Sequence, residues 1–92
     1  MPLKRNEYLG FDTSYMIARF TMLNGDQRVR CGASAAFMDD LERSRDVTQG
    51  GRDRQFERLR DKIESMASRK FFSFRDDNRP AEILLTSRDD LR

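Results

Sequence analysis

A chain of 92 residues suffices for one domain with one core, and not for two. Hydrophobic and charged residues each make up 37%, less apolar than an average globular chain, although seven Phe and five Met still supply core material. Eighteen basic against sixteen acidic side chains leave a net charge of +2, which does not announce a nucleic-acid binder but leaves room for a local basic surface.

No apolar run approaches the ~20 residues of a membrane-spanning helix. Met1 to Glu7 carries no apolar stretch behind Lys4-Arg5, so no secretory signal is expected. Cys31, the single cysteine, cannot form an internal disulfide. These features favour a reducing, cytoplasmic setting without membrane attachment.

Taken in chain order, residues 1–14 show no clear periodicity and read as an N-terminal arm, with residues 15–92 forming one domain. Tyr15 to Leu23 reads as a strand, with Met16, Ala18, Phe20 and Met22 on one face. Asn24-Gly25 is the strongest turn signal in the chain, because both residues tolerate the positive φ of a tight hairpin. The partner strand, Gln27 to Ala33, sets Val29, Cys31 and Ala33 against Arg28, Arg30 and Gly32. Ser34 suits a helix N-cap ahead of a short helix over 35–43 that buries Phe37, Met38 and Leu41. Ser44 to Gly51 is linker-like. The clearest helix spans 53–70, where Phe56, Leu59, Ile63 and Met66, with Ala67 beside them, make one apolar stripe. Phe71 to Phe74 leaves that pattern and reads as a third strand, Asp76 to Pro80 as a turn, and Glu82 to Thr86 as a fourth strand; Ser87 caps a last helical turn. The expected fold is therefore α+β, in the order β-β-α-α-β-β: a small, mostly antiparallel sheet with two helices on one face.

Several of these residues resemble a family of short uncharacterised bacterial proteins, the domain of unknown function number fourteen eighty-eight. The matching features are Ile17-Ala18-Arg19-Phe20, the Asn24-Gly25 turn leading to Val29-Arg30-Cys31, and the Ser34-led helix. The run from Phe56 to Ala67 and the closing Ile83-Leu84-Leu85 strand, running into Ser87 to Leu91, complete the likeness. It covers roughly residues 11–91 and departs at the more aromatic Phe71 to Phe74. The resemblance implies the fold and carries no activity.

Candidate chemistry is sparse. The chain has no His, the commonest general base and metal ligand. Cys31 lacks a His to activate it and sits on an apolar strand face, as a small buried hydrophobe does. Asp39-Asp40 point about 100° apart on a helix and do not converge. Asp76-Asp77-Asn78 lacks the Gly and distal Glu of a calcium loop. Gly50-Gly51 lacks the flanks of a phosphate loop. No catalytic residue, cofactor, metal or small-molecule substrate is assigned, and the chain is not expected to be an enzyme.

The sheet face opposite the helices is the candidate surface. Phase places Ile17, Arg19, Thr21, Arg28 and Arg30 there, and adds Phe71, Arg75, Leu84 and Thr86. A turn at Asn24-Gly25 sets Arg19 opposite Arg30 and Thr21 opposite Arg28, a mildly repulsive pairing. Arg19, Arg28, Arg30, Arg75 and Phe71 are thus the candidate contact residues, for a protein partner or single-stranded nucleic acid. The ordinary alternative is a solvated face. On the long helix, Arg54, Arg58, Lys62 and Arg69 lie beside a strip of Asp53, Glu57, Asp61 and Glu64. Arg54–Glu57 and Arg58–Asp61 are compensating i,i+3 pairs, and an antiparallel copy of the helix would match basic strip to acidic strip. The expected function is a self-associating interaction module; the alternative is an accessory nucleic-acid-binding domain, with an enzyme a distant third.

Overall fold

The computed structural model describes residues 2–43 and 47–90. Strand β1 spans Lys4–Asp12, β2 Ile17–Asn24 and β3 Gln27–Ser34; helix α1 spans Ala35–Glu42, α2 Arg52–Ser73, and strand β4 Glu82–Leu85. The sheet order is β1-β2-β3-β4, with the first two pairings antiparallel and β3–β4 parallel. The α+β class and the pair of helices on one face agree with the sequence reading. The element order and the antiparallel character do not: three strands precede the helices, one follows, and the sheet is mixed.

Three local facts account for the difference. The expected arm is strand β1. Its pairs Arg5↔Met22, Tyr8↔Phe20 and Phe11↔Ala18 step by three on β1 and by two on β2, because the register shifts once between each pair. Each shift is a bulge that admits an extra residue, and Gly10 supplies a backbone φ of +113° at the second. Next, the 71–74 segment is no strand. Helix α2 runs on to Ser73 because Ile63, Ala67 and Phe71 continue one buried stripe at a spacing of four. With the helix carrying the chain back across the sheet, β4 enters beside β3 in the same direction. Finally, the hairpin closes one step later than Asn24-Gly25. Asn24 pairs with Gln27, and Gly25 takes a φ of +62° while Asp26 does not take a positive value. Gly at the first loop position is the pattern of a type II′ turn.

The core lies between the helices and the sheet face formed by Ala18, Phe20, Met22, Val29, Cys31, Ala33, Ile83 and Leu85. Phe37 and Met38 from α1 and Phe56, Ile63 and Phe71 from α2 complete it, with Leu41 and Met66 half-buried at its margin. Ser34 caps α1 as expected, its Oγ accepting from the Phe37 amide at 3.0 Å. Residues 44–46 of the expected linker, and Leu91 of the closing segment, lie outside the described residues. From Gln49–Gly51 a 3-10 turn leads into α2. Two more 3-10 turns flank β4, Asp76–Asn78 before it and Ser87–Asp90 after it, and Asp89 accepts from the Thr86 amide at 2.7 Å. No helix among the described residues is long and apolar enough to cross a membrane.

Ion pairs join elements more than they run along α2. Arg58 pairs with Glu42 of α1 at 2.7 Å, while Asp61 and Glu64 bind Arg5 of β1 at 2.7 and 2.8 Å. Glu64 also binds Arg60 at 2.9 Å. The expected Arg58–Asp61 pair is thereby replaced by contacts with other elements, and much of the acidic strip is engaged within the chain. Deeper in the α1–α2 seam, Arg52 donates to Asp39 and to Gln55, each at 2.6 Å.

Candidate functional site

The face opposite the helices is built by alternation. On β2 it carries Ile17, Arg19, Thr21 and Leu23; on β3, Arg28, Arg30 and Gly32; on β4, Glu82 and Leu84. Gly32 lies between Arg19 and Leu84 in register. A Cβ there would stand 2.8 Å from Ile17 Cγ2 and 3.1 Å from Leu84 Cδ1, so these two apolar side chains close over the glycine from either side. Thr21 is buried under β1, where Asn6 donates to its hydroxyl at 2.8 Å. Tyr15, in the β1–β2 loop, is 72% exposed, and the Arg19 guanidinium stands 5.9 Å from its ring centroid.

The expected Arg19–Arg30 opposition is corrected by the shifted hairpin: Arg19 faces Gly32 and Arg30 faces Thr21. Arg19 meets acids instead. It crosses β3 to reach Glu82 at 2.7 Å and binds Asp12 at 3.3 Å. Burial opposes its charge, yet the hydrogen bonds it donates to Glu82 and Asp12 outweigh that and hold its pKa above the ordinary value. Asp12 is fixed in turn by the amides of Ser14 and Tyr15 at 2.9 and 3.2 Å, a side-chain turn that shapes the loop. Arg19 is therefore tied into the fold.

Arg28 and Arg30 are exposed and make no hydrogen bond or ion pair among the described residues. Phe71, placed on the sheet face by the strand reading, is a core residue of α2. Phe71 nevertheless lines the same cavity as Arg28 and Arg30, at the start of β3. Arg75 lies just beyond α2, exposed and outside that cavity. Thr86 has passed the end of β4 and is held by Asp89. Sequence reading missed Arg79, which stacks on Phe71 with its guanidinium 3.7 Å from the ring centroid. No spacing links a turn arginine to a helix ring eight residues earlier; only the fold joins them.

Cys31 is buried, its Sγ 3.7 Å from the Val29 carbonyl, and burial pushes its pKa up to about 12, with Glu82 and Glu64 adding to the effect. The thiolate is the reacting form, so native Cys31 should react with a thiol reagent at neutral pH on the order of a hundredfold more slowly than in the unfolded chain. Absorbance-monitored labelling with and without denaturant measures this, and native labelling at the unfolded rate would refute it. Among the described residues no three His, Cys, Asp or Glu side chains are grouped to hold a metal ion.

No family model matches the chain, and no curated protein or solved structure matches it.

Proposed function

We propose that this chain is a non-catalytic interaction module that pairs with a second copy of itself through the uncovered sheet face. The observation that carries this reading is the apolar bridge of Ile17 and Leu84 over Gly32, continued by exposed Tyr15, on a face that no helix among the described residues covers. Charge permits a like-with-like contact. Asp12 and Glu82, both bound to Arg19, offset two of the three positive charges of Arg19, Arg28 and Arg30, so each face carries a surplus of one charge, which salt screens. The helix face is the poorer choice, because its acidic strip already binds Arg5 and Arg60. A domain this small gains from burying further apolar surface. The likeness to family number fourteen eighty-eight remains part of this proposal, resting on the core pattern alone.

Analytical ultracentrifugation at several salt concentrations tests the reading. A dimer that persists in salt is expected, and Leu84→Asp should weaken it by about thirtyfold or more, as loss of a central interface anchor does. Circular dichroism of the variant should stay unchanged, since Leu84 lies on the far face from the core. A monomer at every concentration up to about 0.5 mM would end the proposal.

A second reading, an accessory nucleic-acid-binding domain, draws on Arg28 and Arg30, unpaired among the described residues. It is weaker because Phe71, its expected stacking platform, lies beneath Arg79 in the core.

A further inference from the structure

Strand β3 begins before its partner: β4 pairing starts at Arg30↔Glu82, so among the described residues no strand lies beside Gln27 to Val29 on that side. The space left is a cavity of about 250 Å³ between Arg28 and Arg30 on one wall and Phe71, Arg79, Pro80 and Asp76 on the other. We propose that this cavity binds a small phosphate-type oxyanion: inorganic phosphate or the phosphomonoester group of a small molecule.

Arg79 is the fixed element. Its Nε donates to the Phe71 carbonyl at 3.2 Å and its Nη2 to the Phe74 carbonyl at 3.4 Å, at the C-terminal end of α2. Stacking on Phe71 and an ion pair with Asp76 at 3.1 Å complete its restraint. Its Nη1 makes no hydrogen bond among the described residues. A guanidinium held in place before binding loses little freedom on meeting an anion. Arg28 and Arg30 sit two residues apart and so share a face of β3, and both are unpartnered among the described residues. Three guanidiniums against the Asp76 carboxylate give a surplus of two positive charges around the cavity, the complement of a phosphate dianion. The Asp76 side chain is 96% exposed and is free to turn away as the ligand enters. The volume lies below the ~300–1,000 Å³ of sites for drug-sized molecules, which suits a single charged group.

Titration of inorganic phosphate into isotope-labelled protein, followed by amide and arginine side-chain resonances, tests the site. Saturable shifts confined to residues 27–30 and 74–81 are expected. Arg28→Gln with Arg30→Gln should weaken binding by about tenfold or more, and Asp76→Asn should tighten it several-fold. All three side chains are exposed, so these variants keep the fold. Methyl phosphate should compete with phosphate, while dimethyl phosphate, a single-charge diester, should compete poorly. Diffuse shifts without saturation up to about 50 mM phosphate would overturn the proposal. So would binding that survives the double substitution. A single-stranded oligonucleotide that binds where phosphate does not would overturn it in favour of a nucleic-acid surface.

Discussion

Asp39→Ala is expected to lower the unfolding free energy by about 3–5 kcal/mol, a large share of the ~5–15 kcal/mol that holds a domain folded. The reason is what remains behind. Arg52 is 7% exposed and Gln55 is fully buried, and both direct donors at Asp39 Oδ1, at 2.6 and 3.0 Å. Removing the carboxylate strands a buried guanidinium whose Nε already lacks a partner. The loss is that of an uncompensated charge, far above the worth of an exposed pair. Substituting both partners, Asp39→Ala with Arg52→Met, should therefore recover most of the loss, because the charge is gone from both sides. Denaturant melts of the two single variants and the double variant measure the coupling. A single-variant cost under about 1 kcal/mol would show that water reaches the seam and screens Arg52.

Phe56→Ala should cost a similar amount, about 3–5 kcal/mol, by leaving a large void in a packed interior. Phe56 is fully buried, with Tyr8 stacked on it at 4.4 Å and Phe20 tilted against it at 5.1 Å. It is a principal hold on the edge strand, since Tyr8 is the β1 side chain that stacks on α2. Burial, aided by the hydrogen bond to Asp53, holds the Tyr8 hydroxyl pKa well above its ordinary 10.0. Phe56→Leu, which keeps most of the volume, should cost less than half as much. Native-state hydrogen exchange should show β1 losing protection first in the Leu variant, with β2 and β3 unaffected. Uniform loss of protection across all strands would show that β1 and the core open as one unit.

The parts of the fold legible in sequence were those governed by contacts a few residues apart. The β2 and β3 faces follow from alternation, as Ala18, Phe20 and Met22 against Val29, Cys31 and Ala33 show. The Ser34 cap follows from one hydroxyl beside one free amide. The open face carrying Ile17, Arg19, Arg28, Arg30 and Leu84 was equally legible, because strand phase alone assigns it. Strand β1 was not. Its helix-side residues recur every third position, and one of them is the exposed Arg5, held by Glu64 more than fifty residues away. Period-two reasoning cannot detect a strand whose bulges are fixed by its partner.

By itself, then, the sequence determined one small α+β domain, the polarity of its central hairpin, the start of α1 and the buried stripe of α2. These depend on periodicity and capping, which act along the chain. Tertiary structure decided the rest. Whether Phe71 ends a helix or opens a strand is a near balance of local preference, settled by the core beneath it and by Arg79 above its ring. That choice reverses the approach of β4 and makes the sheet mixed. The same choice empties the space beside Gln27 to Val29 and turns two solvent-facing arginines into one wall of a cavity. Strand phase makes Arg19 a repelled cation, whereas the fold neutralises it, because Glu82 lies beyond the intervening strand. Sequence spacing carries no information on such a pair; only the order of strands in the sheet brings the two charges together.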